Sequence, residues 1–120
     1  MGYLYILGTI LFTVYGQLVI KWRVSLYGDL PSLFLEKIIF FARVFFDFWV
    51  LSGFIAGFIA GLFWISAMTK LDLSHAYPFM GLTFILIPIF SFLFFGENLS
   101  VYKMIGASFI MLGIIMSSQG

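Results

Sequence analysis

The chain lacks most of the residues from which metal and redox sites are built. Its 120 residues include no cysteine, one histidine and only 9% charged residues. Without cysteine, disulfides and thiolate metal sites are excluded within this sequence, and His75 cannot form a metal cluster by itself. Soluble domains carry about 25% charged residues, so a water-soluble globular domain is excluded. A net charge of +1 provides no basic patch for nucleic acid. We therefore expect no metal, no cofactor and no nucleic-acid partner.

Charge is missing altogether from four stretches of the chain. These are residues 1–20, 48–69, 76–96 and 104–120. A helix rises about 1.5 Å per residue, so roughly 20 apolar residues cross a hydrocarbon core of about 30 Å. The sequence therefore predicts an all-α membrane protein, a single transmembrane domain over residues 1–120. Its four helices are expected at about 3–22, 48–69, 76–96 and 101–118.

The longest connection, between the first two spans, is rich in aromatic residues and interrupted by charges. Residues 28–32 read Gly-Asp-Leu-Pro-Ser, which is a turn signal. In the following segment, about 32–47, the side chains of Glu36, Arg43 and Asp47 fall within about 80° of one another on a helical wheel. This pattern predicts an amphipathic segment, either an interfacial helix or an N-terminal extension of the second span. A solvated edge of that span without a role of its own is the alternative.

Basic residues are divided unevenly between the two sides of the predicted bundle. The first and third connections hold Lys21, Arg23, Lys37, Arg43 and Lys103. The opposite side holds only Lys70 and the α-amino group. The positive-inside rule therefore predicts that both of these connections are cytoplasmic and that both termini are outside. Because Lys21 and Arg23 follow the first span and no basic residue precedes it, we interpret that span as a retained helix rather than a secretory signal.

Glycines in the second and fourth spans are spaced for close helix packing. Gly53, Gly57 and Gly61 recur at intervals of four, and Gly106 and Gly113 share one face seven residues apart. Such rows let helix backbones approach closely in lipid. We interpret all five as helix-packing positions. For the second-span row we favour a contact within the chain, and a contact between two chains stays open.

A polar stripe on the first span is the main candidate for a binding surface. Thr9, Thr13, Gln17 and Lys21 recur every four residues. An amide or ammonium exposed to lipid is costly, so this stripe should face protein or water. One interpretation is a substrate-lining face on which Lys21 attracts a phosphate. The other is that the threonines and Gln17 join helices while Lys21 extends to the headgroups.

The other candidate residues lie near span ends. Tyr77, at the entry of the third span, occupies a position typical of interface anchors and is also a candidate for substrate contact, as is Arg43. We interpret His75 as a loop residue and Glu97 as a structural residue held by backbone amides. Because the chain lacks a nucleophile elbow, a Walker A sequence and a zinc-protease motif, we expect no enzymatic activity.

Three short motifs resemble the drug/metabolite transporter superfamily. They are Gly-Gln-Leu at 16–18 followed by Lys21, Leu-Ser-His-Ala-Tyr-Pro at 73–78, and Phe-Gly-Glu-Asn-Leu-Ser at 95–100. More narrowly, the chain is similar to the small four-helix EamA-type proteins akin to aminoarabinose-phosphoundecaprenol flippase subunits. It resembles small multidrug resistance proteins more distantly. Thr13 stands where that family has its first-helix glutamate, and Met80 stands where it has its drug-stacking tryptophan.

This resemblance implies a transporter subunit that flips a polyprenyl-phosphate-linked sugar across the bacterial inner membrane. It would place Thr13 and Gln17 against the sugar, with Lys21 or Arg43 suited to the phosphate. Four helices are too few to enclose such a path, so we expect a homodimer or a heterodimer with a paralogous four-helix subunit in membrane lipid. The uneven basic residues favour a heterodimer with an oppositely oriented paralogue. Two alternatives are a multidrug-type exporter of cations or small metabolites and a non-transporting scaffold of a glycosyltransferase complex.

Overall fold

A computed structural model describes residues 2–120, and these residues form helices and no strands. The helices are α1 (Gly2–Tyr27), α2 (Phe34–Phe45), α3 (Phe48–Met68), α4 (Leu73–Ala76), a 3-10 stretch (Tyr77–Leu82), α5 (Thr83–Phe95) and α6 (Val101–Ser118). Four helices of this described part are long and apolar enough to cross a membrane. These spans are Gly2–Tyr27, Phe48–Met68, Leu73–Phe95 and Val101–Ser118. The predicted fold class, an all-α protein with four transmembrane helices, is confirmed.

The helices α1 and α3 form the central pair of the fold. Their backbones come closest at Gly16 and Gly53, where a β-carbon added to Gly16 would lie 2.9 Å from the carbonyl oxygen of Gly53. Nearer the start of α1, the buried hydroxyl of Thr9 donates to the carbonyl of Tyr5 at 2.9 Å and to that of Ala60 at 3.4 Å. Small and hydroxyl-bearing residues at the crossing therefore allow the close contact that stabilises helix pairs in lipid.

The third span changes its helical geometry along its length. α4 continues directly into the 3-10 stretch, which has Pro78 in its first turn, and α5 follows. Within α5, Pro88 has no amide hydrogen to donate to the preceding turn. α5 ends at Gly96, whose φ of +69° lies in the left-handed region that favours glycine. α6 packs beside the 3-10 stretch, where a β-carbon on Gly81 would lie 3.3 Å from Ile110.

The buried core is small and lies where α1, α3 and the third span meet. Its fully enclosed members are Ile6, Ile10, Val14, Ala67 and Ala76. Outside this cluster most large apolar side chains are exposed, including nearly all of those on α6. A continuous apolar surface of this kind is covered by lipid tails rather than by water. The chain is a multi-pass membrane protein.

Contacts between helix ends define two ends of the bundle. The Lys21 ammonium lies 3.8 Å from the Glu97 carboxylate, so the end of α1 and the α5–α6 turn share one end. We call this the basic end. The Tyr3 hydroxyl and the His75 ring nitrogen Nε2 lie 2.8 Å apart at the opposite end, which we call the terminal end.

The amphipathic segment forms a helix of its own rather than an extension of the second span. α2 ends at Phe45 with Phe46 as its C-cap, and Asp47 is the N-cap of α3, which starts at Phe48. The carboxylate of Asp47 accepts hydrogen bonds from the backbone amides of Trp49 at 2.9 Å and Val50 at 3.3 Å. Because these bonds satisfy amides at the start of α3, α2 is free to leave the axis of the span.

Candidate functional site

The polar stripe of α1 leaves the interior as it winds along the helix. A four-residue spacing drifts by about 40° per step against 3.6 residues per turn, so each polar residue lies farther from the α1–α3 contact than the one before. Thr9 is buried and bonded to α3. Thr13 is half-buried and Gln17 is exposed. Thr9 therefore joins two helices, as the second interpretation of the stripe predicts. Thr13 and Gln17 lie at the edge of the contact between α1 and α3.

Thr13 and Gln17 line a groove of about 300 Å³ between α1 and α3. Its other walls are Gly16, Ile20, Gly53, Phe54 and Gly57. Gln17 is exposed and Thr13 is half-buried, so the chain's own residues do not enclose either side chain. An unpaired amide or hydroxyl facing lipid is unfavourable, so this groove is suited to a polar ligand or a second chain.

Lys21 continues the stripe to the basic end, where it pairs with Glu97. The two charged atoms lie 3.8 Å apart, and the side chains are 58% and 45% exposed. Charge-assisted hydrogen bonds are usually about 2.7–2.9 Å long, so this is a loose ion pair. The partner of the Glu97 side chain is Lys21 and not the backbone amides that we expected from the sequence.

A tighter ionic cluster joins α1 to α3 at the same end. Arg23 donates to both carboxylate oxygens of Asp47, with its Nη2 atom 2.9 Å from Oδ2, and the Tyr27 hydroxyl donates to Oδ2 at 2.7 Å. The hydrogen bonds from Arg23, and then that from Tyr27, lower the pKa of Asp47 from 3.8 to about 2. Its side chain is only 7% exposed. The sequence analysis missed this cluster, although an Asp directly before an apolar run is a helix-start signal.

Arg43 lies at the basic end but faces a different pocket from Thr13 and Gln17. Its guanidinium carbon lies 5.6 Å from the centroid of the Tyr27 ring. The pocket beside it has a volume of about 260 Å³ and includes the acidic residues Asp29 and Glu36. Two nearby carboxylates offset the positive charge that Arg43 offers to an anion.

Tyr77 lies at the terminal end, away from the other candidate residues. Its side chain is 65% exposed, and its ring packs edge-on against Trp64 with centroids 6.0 Å apart. His75 nearby bonds to the Tyr3 hydroxyl and packs against Phe79. The structure thus brings Thr13 and Gln17 into one groove, with Lys21 one turn further along, and places Arg43 and Tyr77 elsewhere.

Of the five glycines predicted to pack helices, Gly53 is the one that contacts another helix within the described chain. A β-carbon on Gly53 would lie 2.7 Å from the Val19 side chain. No atom lies within 4 Å of the corresponding position at Gly57, Gly61, Gly106 or Gly113. These four positions are open to lipid, a ligand or a second chain, and their packing role stays a prediction. The partner of Gly53 is Gly16.

A second groove, between α1 and α5, is lined by apolar and aromatic side chains and has a volume of about 410 Å³. Its lining residues are Tyr15, Leu18, Val19, Trp22, Phe94 and Phe95. On the α1 wheel, Lys21 lies about 40° from Gln17 and about 60° from Leu18, between the groove at Thr13 and the groove beside α5. Since Gly96 and Glu97 follow Phe95 directly, the Lys21–Glu97 pair stands where the apolar groove ends. The sequence analysis did not anticipate this groove.

Comparison with known proteins agrees with the fold. Residues 1–119 match the EamA-like transporter family. The chain is 32% identical to a probable 4-amino-4-deoxy-L-arabinose-phosphoundecaprenol flippase subunit ArnF of Proteus mirabilis (strain HI4320), over 98% of this chain and 92% of that protein. It is 30% identical to a probable ArnE subunit of the same flippase from Aeromonas salmonicida (strain A449), over 88% of this chain and 87% of that protein. No solved structure matches the chain. The chain belongs to the EamA-like transporter family.

Proposed function

We propose that this chain is a subunit of a transporter that flips a polyprenyl-phosphate-linked sugar across the bacterial inner membrane. The observation that carries the proposal is the groove at Thr13 and Gln17, which offers an uncharged hydroxyl and amide among apolar walls, on a helix that reaches Lys21 at the basic end. Hydroxyl and amide groups both donate and accept hydrogen bonds, as sugar hydroxyls require. A lysine ammonium suits a phosphate.

The distribution of acidic residues favours this function over proton-coupled export of cations. Every acidic residue lies outside the four spans: Asp29, Glu36, Asp47, Asp72 and Glu97. A proton-coupled pump typically places a carboxylate within the membrane, and the corresponding position in multidrug exporters holds Thr13 here. We infer that the head group moves past neutral polar side chains while the isoprenoid tail stays in lipid, and that the chain acts by transport rather than by catalysis.

The relatives support this function and indicate the chemical class of the substrate. Both ArnE-type and ArnF-type proteins match the chain, and both are named as probable flippase subunits. The substrate in their names combines an amino sugar, a phosphate and an undecaprenyl chain. We propose a substrate of the same class for this chain.

We further propose that the complete transporter pairs this chain with a paralogous four-helix subunit in the opposite orientation. The groove at Thr13 is open on one side, and a second chain would close it. The open positions at Gly57, Gly61, Gly106 and Gly113 are available for such a contact. Because the basic residues are concentrated at one end, a single fixed orientation of this chain is favoured, and this favours a heterodimer over an antiparallel homodimer.

In this proposal the remaining candidate residues contact the substrate at its points of entry and exit. Lys21 and Arg43 attract the phosphate at the basic end. Tyr77 contacts the head group at the terminal end, where its ring is exposed.

The test is a transport assay in membranes that contain this chain and its partner subunit. A membrane-impermeant amine-reactive reagent measures how fast the lipid-linked amino sugar reaches the outer leaflet. We expect Gln17→Ala and Thr13→Ala to slow this step several-fold to about tenfold, because each loses hydrogen bonds of about 1 kcal/mol. Ser108→Ala is the matched control, since that hydroxyl bonds within α6, to the carbonyl of Met104.

Two results would replace this function with an alternative. Proton-coupled uptake of a quaternary cation by vesicles containing the chain would identify a multidrug-type exporter. A scaffold would be identified if Gln17→Ala and Lys21→Ala left the display of lipid-linked sugar intact while a bulky substitution at Gly57 abolished it.

A further inference from the structure

We propose that the Lys21–Glu97 ion pair is a recognition site for a lipid head group that carries both an anion and an amine. Lys21 binds the phosphate, Glu97 binds an ammonium group on the sugar, and the first isoprene units lie in the apolar groove between α1 and α5. This assignment rests on the proposed flippase function and deepens it, because it names the residues that read the chemistry of the substrate.

The Lys21–Glu97 pair is loose and accessible. Its charged atoms are separated by 3.8 Å, and both side chains are about half exposed. Within the described residues, neither Lys21 nor Glu97 forms a second ion pair. An exposed pair of this kind contributes little to stability. A ligand therefore separates the two side chains at small cost.

The two charges of the pair are complementary to a head group that carries both a phosphate and an amine. A head group with both charges replaces one loose pair by two charge-assisted hydrogen bonds, one to Lys21 and one to Glu97. A head group with only a phosphate gains the bond to Lys21 and leaves Glu97 beside a like charge, which is unfavourable. The pair therefore discriminates against anionic lipids that lack an amine, by repulsion as well as by lost attraction.

The apolar groove between α1 and α5 lies directly beside the pair. Leu18 and Trp22 flank Lys21 on α1, and Phe94 and Phe95 precede Glu97, so the same two chain segments build the groove and carry the charged pair. Its volume of about 410 Å³ is within the range of small-molecule sites. Apolar walls next to a pair of opposite charges match a lipid whose tail begins directly at its phosphate.

The head-group test measures the binding of three lipids to the chain with its partner subunit in phosphatidylcholine vesicles. The lipids are undecaprenyl phosphate, undecaprenyl phosphate linked to a neutral hexose, and undecaprenyl phosphate linked to an amino sugar. We expect the wild-type protein to bind the amino-sugar lipid about tenfold more tightly than the neutral one. Glu97→Gln should reduce this ratio to within about twofold, and Lys21→Gln should weaken the binding of all three. Asp72→Asn removes one negative charge and Lys70→Gln removes one positive charge at the terminal end. Both should leave the preference for the amino-sugar lipid unchanged.

The outcomes separate this inference from the function on which it rests. If Glu97→Gln keeps the wild-type preference for the amino-sugar lipid, or if the wild-type protein binds all three lipids equally, the recognition site is refuted and the flippase function stands. If the wild-type protein binds none of the three, both are refuted.

The position of the tail is tested by a pair of phenylalanine variants on α5. Phe94 and Phe84 are 68% and 69% exposed, and only Phe94 lines the groove. We expect Phe94→Ala to weaken binding of the undecaprenyl lipid several-fold, and to have little effect on an analogue whose phosphate carries a methyl group in place of the isoprenoid. Equal effects of Phe94→Ala and Phe84→Ala on the long-chain lipid would show that the tail lies elsewhere.

Discussion

Substitution of Gly16 by alanine tests whether the close approach of α1 and α3 stabilises the fold. The added β-carbon would lie 2.9 Å from the carbonyl oxygen of Gly53, whereas ordinary contacts begin at 3.4 Å. A backbone oxygen cannot rotate away as a side chain can. The two helices must therefore separate by about 0.5 Å, and a gap of that size already loses about a quarter of the attraction in each affected contact.

The expected cost follows from two opposing effects. Overpacking a close contact costs about 1–3 kcal/mol, and replacing a helical glycine by alanine returns about 0.5–1 kcal/mol. We therefore expect Gly16→Ala to lower the free energy of unfolding by about 1–2 kcal/mol. Circular dichroism during titration of detergent-solubilised protein with SDS measures this difference.

Gly61→Ala is the matched control, since no atom lies within 4 Å of its added β-carbon. It should leave the free energy of unfolding unchanged or raise it slightly, because it keeps the gain in helix propensity. If Gly16→Ala were as stable as Gly61→Ala, the reasoning from the helix crossing would be refuted.

Three further predictions concern polar groups. The pKa of Asp47 is lowered from 3.8 to about 2, so the stability that its carboxylate gives the fold is present above about pH 4 and is lost as the pH falls towards 2. Asp47→Asn should therefore be less stable than wild type at pH 6. SDS titrations from pH 6 to pH 2 should show this difference shrink on acidification. Thr9→Val should cost about 0.5–1.5 kcal/mol, since its hydroxyl joins α1 to α3, and an equal loss on replacing Ser108 by alanine would contradict this. Lys21→Gln should change the free energy of unfolding by less than about 1 kcal/mol, so that any larger loss of transport reflects substrate binding.

The sequence predicts the four spans and the family well because both depend on local patterns. The absence of charge over about 20 residues is enough to locate each span. α1 nevertheless continues to Tyr27, past Arg23, because that charge is neutralised by Asp47. The length of this helix therefore depends on a residue that lies 24 positions away.

The candidate site could be predicted only in part, because Thr9, Thr13 and Gln17 look equivalent in the sequence. Their spacing of four places them in one stripe but does not indicate where α3 crosses that stripe. The crossing is fixed at Gly16 and Gly53, and it buries Thr9 while leaving Gln17 exposed. The partnership of Lys21 with Glu97 likewise depends on the packing of α1 against the third span, for which no local pattern exists.

The third span is longer than the neighbouring α6, chiefly because it has more residues, and its 3-10 stretch adds about 3 Å. A 3-10 helix rises about 2.0 Å per residue instead of 1.5 Å, so the 23 residues of Leu73–Phe95, six of them in this stretch, extend over about 37 Å. The 18 residues of α6 beside it extend over about 27 Å. Such a difference in length is accommodated when the longer helix tilts or when the bilayer thins around the shorter one. Against a hydrocarbon core of about 30 Å, α6 is nearly matched and the third span is too long, so we expect the third span to tilt relative to the bilayer normal.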